Sequence, residues 1–348
     1  PSHRELLAAF LHLGFAGFGG PAAHVGLMEE ALVRRRQWMT PEAFLDAYAT
    51  VQFLPGPTST MLALALGRRL GGWRGYWSAA VGFILPAVVL TYLLAVWWST
   101  VDDHPLIAQV RIGVAAAVVG LLIVTTWRLG QGLLHRPWQL ALAVAACAAS
   151  VAADVLPEQL SLARAAGEAL SALVAPPPVS VVGVFTLFFV VGATLVGSGY
   201  ALIGWLGALG STWLGWLSTP DLVDAVAAGY LTPGPLFATA TFAGARMLGM
   251  VGAAAATFGV FLPALVYAAL ATPLAAWLEA RAWRRTLRSS VASVCVGLIA
   301  ASVVPFARGL TPWTLVVAAI GFVVLASGRV HPLLGFLAVA AAGTAAAG

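Results

Sequence analysis

Nine long stretches of this chain contain no Asp, Glu, Lys or Arg. They cover residues 6–28, 75–101, 112–127, 137–153, 169–220, 247–278, 289–307, 309–328 and 330–348. A helix that crosses a bilayer needs roughly 20 apolar residues, and several of these stretches reach that length. Only 9% of the 348 residues are charged and the mean hydropathy is +0.93, which is far from the composition of a water-soluble domain. The sequence therefore predicts an all-α polytopic membrane protein.

The remaining composition excludes several functions. The net charge is +5, but the arginines are spread over loops between apolar stretches and form no basic face, so we expect no nucleic-acid partner. Cys147 and Cys295 each lie inside an apolar stretch and indicate neither a disulfide nor a metal site. No cofactor and no metal are expected. The start of the chain has no basic region or cleavage signal, so we expect its first apolar stretch to lie in the membrane.

The chain is an internal duplication. A shift of 178 residues superimposes Phe10 on Phe188, Gly14 on Gly192, Trp38 on Trp216, Asp46 on Asp224 and the Pro-Gly-Pro at 55–57 on that at 233–235. A shift of 177 then superimposes Gly67 on Gly244, Arg69 on Arg246, Gly75 on Gly252, Arg111 on Arg288 and Gly120 on Gly297. Chance matches in apolar sequence would be Ala, Leu and Val. We predict an N-terminal membrane repeat at 1–153, a connecting loop at 154–178 and a C-terminal membrane repeat at 179–348.

The arginines of equivalent loops alternate between the repeats. Arg68, Arg69 and Arg74 crowd one loop of the first repeat. The next loop, 99–110, has Asp102 and Asp103 and no arginine. In the second repeat the loop at 277–289 has the arginines instead. Short Arg-rich loops stay on the cytoplasmic side. The pattern predicts two inverted-topology repeats, the plan of many secondary transporters, which bind substrate near the midplane of the membrane.

Each repeat contains two predicted breaks in its helices. Thr40-Pro41 and Thr219-Pro220 begin helices that run for about 13 residues, roughly 20 Å, before a Pro-Gly-Pro, which is too short to span and predicts re-entrant hairpins. The second pair of breaks is the glycine-rich 14–24 and 192–202. Free N–H groups at helix N-termini bind anions, so we expect the four breaks to form a central anion site. The candidate substrate-binding residues are Gly19, Gly20, Pro21, His24, Pro55, Gly56, Pro57, Thr58, Gly197, Ser198, Gly199, Tyr200, Pro233, Gly234 and Pro235.

These segments resemble the chromate ion transporter family, in its long form with two homologous halves. The resemblance covers most of the chain and rests on FGGPAAHVGLMEE (18–30), LPGPTSTMLALALG (54–67), GSGYALIGWL (197–206), TPGPLFATATFAG (232–244) and FLP (261–263). It implies export of chromate, a sulfate-like oxyanion, across the bacterial cytoplasmic membrane, and chromate resistance. The second half departs from the first at Leu236, which stands where the first half has Thr58, and at Tyr200, which lies near the position where the first half has Pro21. We therefore expect unequal contributions from the two halves.

Charged residues that recur in both copies are further candidates. Arg69, Arg246, Arg111 and Arg288 survive although equivalent loops face opposite sides, and they are either steering or gating groups for an anion or side chains that snorkel at helix ends. Asp46 and Asp224 lie beyond the first turn of their helices and are candidates for proton coupling. His24 is placed either to donate to an anion or to carry a proton. The alternative for each carboxylate is an interfacial or ion-paired group.

Three functions stay open at this point. The first is a secondary exporter of an oxyanion, driven by protons or by membrane potential. The second is a lipid flippase or membrane enzyme with re-entrant hairpins, although the sequence shows no cluster of nucleophiles or metal-spaced acids. The third is a passive anion channel. Lipid is an expected partner, and a homodimer is left open.

Overall fold

The structure, a computed structural model, is all-α in the residues that it describes. These are residues 1–18, 21–52, 54–101, 104–155, 178–195, 202, 205–206, 215–271, 283–308 and 310–347. The helices are α1 (His3–Ala16), α2 (Pro21–Glu29), a π-helical turn (Glu30–Arg35), α3 (Pro41–Gln52), α4 (Thr58–Val101), α5 (Pro105–Leu133), α6 (Pro137–Val155), α7 (Val181–Thr194), α8 (Thr219–Leu231), a 3-10 turn (Leu236–Ala238), α9 (Thr239–Ala269), α10 (Trp283–Ala307), α11 (Pro312–Ala326) and α12 (Pro332–Ala347). We call residues 1–153 the first half and 179–348 the second half.

The described helices have the length and surface of membrane segments. Three are long and apolar enough to cross a bilayer: Thr58–Val101, Leu106–Gln131 and Leu236–Ala269. Large apolar side chains such as Trp77, Leu93 and Phe258 point outward and are more than half exposed. An outward apolar surface of this extent is stable in lipid and not in water. The chain is a multi-pass membrane protein.

The helices α4 and α9 are each bent sharply at one equivalent point. The backbone leaves helical geometry at Gly71 and Gly72 in α4, where Gly72 has φ +60°, and at Leu248 and Gly249 in α9, where Gly249 has φ +61°. A positive φ is the reason that a glycine stands at the second position of both bends. The arm before each bend, 58–70 in α4, is about 20 Å long at 1.5 Å per residue.

Glycines let the two arms of each bent helix touch. A Cβ on Gly67 would lie 2.5 Å from the carbonyl oxygen of Gly75 across the bend, and Gly244 meets Gly252 in the same way. The longer arm then packs on the first helix of its own half. Gly14 of α1 lies against the Gly82 carbonyl of α4 at 2.5 Å from an added Cβ. Small residues allow such close approach, which favours helix association in lipid.

Packing between the halves is reciprocal. Gly120 of α5 lies against Ala318 of α11, and its equivalent Gly297 of α10 lies against Ala143 of α6. Each half therefore contributes an equivalent helix to the other. The buried apolar residues form two clusters in the described part of the chain, and each cluster contains residues of both halves.

One predicted helix start is displaced by a residue. Thr40 accepts a hydrogen bond from Ala43 N–H (3.2 Å) at the start of α3, as expected. In the second half the capping side chain is Ser218 instead of Thr219, because the Ser218 hydroxyl accepts from Asp221 N–H (3.2 Å) while the Asp221 carboxylate accepts from Ser218 N–H (3.2 Å). This reciprocal capping box satisfies two N–H groups, whereas a threonine cap alone satisfies one.

Candidate functional site

The two Pro-Gly-Pro loops are bonded crosswise to the opposite halves. Gly56 N–H donates to the carbonyl of Leu195 (2.6 Å), and Gly234 N–H donates to the carbonyl of Gly17 (2.7 Å). Gly17 and Leu195 are equivalent in the duplication and are the C-terminal caps of α1 and α7. Each helix end thus has a carbonyl satisfied by the loop of the other half. The loops therefore bond the two halves to each other at the C-terminal ends of α1 and α7.

Both loop glycines adopt a backbone that favours glycine. Gly56 has φ +110° and Gly234 has φ +99°. A Cβ on Gly234 would also lie 2.7 Å from the Cβ of Ala87 in α4, whereas the nearest atom to a Cβ on Gly56 would be 3.4 Å away. Gly56 and Gly234 are both buried. The loops are therefore non-helical backbone inside the protein, the only place where lipid-embedded chains tolerate it.

A run of three hydroxyl residues follows the first loop. Thr58, Ser59 and Thr60 form the first turn of α4, and the first backbone hydrogen bond of that helix joins Met61 N–H to Pro57 O (2.9 Å). The three N–H groups before Met61 consequently have no intrahelical acceptor. The Thr60 hydroxyl is fully buried, and in the described part of the chain it has no hydrogen-bond partner. This turn offers buried donors and no fixed charge.

The equivalent turn of the second half is apolar. The 3-10 turn Leu236–Ala238 stands where the first half has Thr58–Thr60, and all three of its side chains are buried. The duplication therefore contains one polar loop end and one apolar loop end. Sequence reasoning singled out Thr58 and missed Ser59 and Thr60, although the run TST after a Pro-Gly-Pro was a visible signal.

His24 joins three elements at the polar loop end. Its Nε2 lies 3.0 Å from the carbonyl oxygen of Gly17, and its Nδ1 lies 3.3 Å from the hydroxyl of Ser59. The ring also meets Phe83 edge to face, with 5.3 Å between ring centroids. His24 is 1% exposed. The Gly17 carbonyl thus accepts from both His24 and Gly234, so the imidazole touches the junction between the halves.

The recurring charged residues form ion pairs that differ between the halves. Asp46 pairs with Arg69 of its own half at 2.6 Å, and its side chain is 67% exposed. Its equivalent Asp224 is 1% exposed and pairs across the halves with Arg111 at 2.7 Å. The indole N–H of Trp98 also donates to Asp224 (2.9 Å). One carboxylate is therefore at the surface and the other is inside the junction.

The recurring arginine Arg246 contacts a helix start. Arg246 pairs with Asp221 at 2.7 Å, at the N-terminus of α8, whereas its equivalent Arg69 also donates to the carbonyl of Ala43 (3.1 Å), the residue equivalent to Asp221. Arg69 and Arg246 thus close the bend of α4 or α9 onto the short helix before the loop. Each ties two elements of its own half.

The structure brings part of the predicted site together. Two groups of predicted residues lie where the loops meet the ends of α1 and α7. They are His24 with Thr58, and the loop glycines Gly56 and Gly234 with their flanking prolines Pro55, Pro57, Pro233 and Pro235. Several predicted residues fall outside the described residues: Gly19, Gly20, Gly197, Ser198, Gly199 and Tyr200, together with the side chains of Pro21 and Arg288. Among the residues that the structure describes, no group of three or more His, Cys, Asp or Glu side chains is placed to hold a metal ion.

Comparison with known proteins identifies the family. The sequence profile of the family described as Chromate transporter matches residues 4–170 and 182–345. The chain belongs to this family. Its members are transport proteins, so the chain is a transporter and not an enzyme.

Curated relatives match along most of their length. The chain is 32% identical over 300 residues to the chromate transport protein of Cupriavidus metallidurans, covering 78% of this chain and 74% of the relative. It is 28% identical over 337 residues to the probable chromate transport protein of Synechococcus elongatus, covering 88% and 85%. The chromate transport protein of Pseudomonas aeruginosa is 28% identical over 345 residues, covering 88% and 82%. No solved structure gives a significant match.

Proposed function

We propose that this protein is a secondary transporter that exports chromate, or a closely related tetrahedral oxyanion such as sulfate, across the bacterial cytoplasmic membrane. The names of the curated relatives supply the substrate class, and the first turn of α4 supplies a chemical reason for it. A buried anion without a buried counter-charge needs several N–H and O–H donors. The observation that carries the proposal is the buried Thr60 hydroxyl, which has no partner in the described residues. It lies in the first turn of α4, whose N–H groups have no intrahelical acceptor.

The loop glycines hold the site in shape. Because Gly56 and Gly234 donate their N–H groups to Leu195 and Gly17, those two amides are not available to an ion. We propose that the anion is bound by the turn Thr58–Thr60, with the Pro-Gly-Pro loops fixing where that turn begins. The equivalent turn of the second half, Leu236–Ala238, has no hydroxyl to donate. The glycine-rich residues 19–20 and 197–200 remain candidates for further donors.

The halves are proposed to be inverted in the membrane, as the loop arginines predict. An inverted pair allows the site between the halves to open alternately to each side. In this scheme Arg111 and Asp224 form a lock between the halves, and Arg69 with Asp46 forms an exposed counterpart. A guanidinium already neutralises each carboxylate, so a coupling proton on Asp46 or Asp224 would first have to displace its arginine.

Flux measurements in proteoliposomes test the function. Purified full-length protein is reconstituted, and uptake of chromate, sulfate and phosphate is followed with and without imposed pH and voltage gradients. Accumulation of chromate against its own gradient supports a secondary transporter. Strictly downhill, ohmic chromate flux would support a channel, and lipid scrambling without anion flux would support a flippase; either result contradicts the proposal.

Glycine variants test the site within the same assay. Gly56→Ala and Gly234→Ala place a side chain on a backbone with positive φ, and Gly234→Ala also clashes with Ala87. Both should lose most chromate flux, with the larger loss for Gly234→Ala. Gly26→Ala is the matched control, because no atom lies within 4 Å of its added Cβ, and it should transport like the wild type. Unchanged flux in Gly56→Ala and Gly234→Ala would show that the loops do not shape the site.

A further inference from the structure

The ring of His24 has a defined hydrogen-bonding state. The Gly17 carbonyl can only accept, so the Nε2 atom that faces it at 3.0 Å must carry a hydrogen. In the neutral ring the Nδ1 atom then has none and accepts from the Ser59 hydroxyl at 3.3 Å. The O–H of Ser59 is therefore directed at His24 and away from the first-turn N–H groups of α4. Neutral His24 removes one donor from the proposed anion site.

Protonation reverses the bond between these two side chains. An imidazolium has hydrogens on both nitrogens, so Nδ1–H would donate to the Ser59 oxygen while Nε2–H keeps its bond to Gly17. The Ser59 hydroxyl hydrogen would then have to rotate to a new acceptor. The only change is one proton added from the solvent and one hydroxyl torsion, with no movement of the backbone.

We propose that His24 is the proton-coupling residue of this transporter and that Ser59 transmits its charge to the anion site. The proposal rests on the proposed oxyanion transport and adds its coupling residue. A proton taken from the solvent binds Nδ1 of His24, Ser59 turns its O–H toward an oxyanion at the first turn of α4, and the positive ring lies one side chain away from that anion. Release of the proton returns the O–H to Nδ1 and weakens anion binding, so a proton on His24 and an anion at the first turn of α4 favour each other's binding.

Among the described titratable side chains around α2, His24 is the one that contacts the Ser59 hydroxyl. The elements packed against α2 are α1, the π-helical turn and α4. Their titratable and charged side chains are His3, Arg4, Glu5, His12, Glu30, Arg34, Arg35, Arg68, Arg69, Arg74, Tyr76 and Tyr92, with Glu29 at the end of α2 itself. In the described part of the chain none of these side chains contacts the imidazole. Arg35 pairs with Glu30, and Arg69 pairs with Asp46.

The second half has no equivalent switch. Leu202 stands at the position of His24 and is fully buried, and the apolar turn Leu236–Ala238 replaces the hydroxyl residues. Within the described residues, one proton is therefore linked to anion binding at His24. The proton-sensitive contact is the one between Nδ1 and Ser59, while Nε2 of the same ring stays bonded to the Gly17 carbonyl, which also accepts Gly234 N–H from the opposite half.

The test compares binding of chromate to the full-length wild type and to His24→Gln and Ser59→Ala at about pH 6 and about pH 8, on either side of the range in which imidazole ordinarily titrates. Chromate itself titrates in this range, so the informative quantity is the ratio of the variant Kd to the wild-type Kd at each pH. Glutamine keeps a donor for Gly17 but cannot gain a proton. We expect a ratio near one at the higher pH and about tenfold at the lower pH, since a linked proton changes affinity by up to about tenfold per pH unit.

Controls separate coupling from structural damage. His12 lies in α1 and makes no hydrogen bond within the described residues. The variant His12→Gln should therefore give ratios near one at both pH values. The double variant His24→Gln/Ser59→Ala should be no weaker than either single variant, because both remove the same donor. Equal losses at both pH values, or no loss at either, would overturn the proposal while leaving oxyanion transport intact. Failure of the wild type to bind or move chromate would instead remove the proposed function. Ser59→Ala, a small truncation, carries the test alone if His24→Gln does not fold.

Discussion

Thr60 places a hydroxyl in the protein interior without an acceptor for it in the described residues. A buried polar group left without a partner destabilises a fold by about 1–3 kcal/mol. Such a group is worth retaining where a ligand supplies the missing bond. At the residue scale this side chain is where the proposed binding site can be tested against a packing defect.

Thr60→Val should therefore separate stability from affinity. Valine has the shape of threonine without the hydroxyl, so we expect the unfolding temperature in detergent to be unchanged or higher, while chromate affinity falls by about fivefold to tenfold, the equivalent of one hydrogen bond of about 1–1.5 kcal/mol. Thermal unfolding and equilibrium binding measure the two effects. Thr91→Val is the control, since the Thr91 hydroxyl lies 2.9 Å from that of Thr232; it should lower stability. A Thr60→Val protein that is both less stable and equally tight would refute the assignment.

Asp46 and Asp224 are equivalent in sequence but not in environment. The first is mostly exposed beside Arg69, and the second is enclosed by Arg111 and Trp98. Exposed ion pairs contribute about 0–1 kcal/mol, whereas removal of one partner from a buried pair destabilises by about 3–5 kcal/mol. The duplication alone could not reveal this difference.

Asparagine at these two positions should have unequal effects. We expect Asp224→Asn to lower the free energy of unfolding by about 3 kcal/mol and Asp46→Asn by less than about 1 kcal/mol. Denaturation in detergent micelles, followed by tryptophan fluorescence, compares the two variants directly. Similar losses of unfolding free energy in both variants would mean that Asp224 is not enclosed between the halves of the folded protein.

At the element scale the bend in α4 joins two arms that only glycine allows to touch. Gly67→Ala would bring a Cβ to within 2.5 Å of the Gly75 carbonyl, and overpacking of this kind destabilises by about 1–3 kcal/mol. Gly72→Ala tests the bend without the contact, because only its φ of +60° is unfavourable and no atom lies within 4 Å of the added Cβ. We expect about 1–3 kcal/mol for that strain, because φ +60° with ψ −146° is a conformation essentially restricted to glycine.

Thermal unfolding of Gly67→Ala beside Gly72→Ala measures the two terms separately. Both variants should lower the unfolding temperature, and Gly67→Ala should have the lower chromate flux, because its arm carries Thr58–Thr60. An unchanged unfolding temperature in Gly67→Ala would show that the arms are not closely packed.

The elements were partly predictable from sequence. Proline and glycine mark where helices stop, so the short α3, the Pro-Gly-Pro loop and the next short arm were predicted, and so was a loop near Arg68 and Arg69. The tightness of that bend was not, because two consecutive glycines in the first half suggest a longer loop. The second half shows that one glycine, Gly249, suffices, since Leu248 adopts the first bend conformation without strain at φ −142°.

At the scale of the whole molecule, the duplication and its offset were predictable, but the partners of each repeat were not. Offsets of 178 and then 177 residues show which positions are equivalent and say nothing about which of them touch. The bonds from Gly56 to Leu195 and from Gly234 to Gly17 are seen only in the folded chain. The same limit hid Ser59 and Thr60, whose importance depends on burial beside His24.

Inversion of the halves can be measured on the whole protein. Arg74 and Val251 are equivalent, exposed residues just after the two bends. In a background with Cys147→Ala and Cys295→Ala, Arg74→Cys should react with a membrane-impermeant thiol reagent from the cytoplasmic side and Val251→Cys from the opposite side. Labelling of intact cells and of inverted vesicles makes the comparison. Reaction of both from one side would place the repeats parallel.

The exchanged loop bonds have a consequence for biosynthesis. A ribosome makes the first half before the second, so the amide of Gly56 and the carbonyl of Gly17 enter the membrane while Leu195 and Gly234 are still untranslated. An unbonded peptide group in hydrocarbon costs several kcal/mol. The nascent first half must therefore keep this region hydrated until the second half has been translated. Pulse-labelled chains arrested before residue 195 should be protease-sensitive at the first Pro-Gly-Pro, and full-length chains should become resistant there.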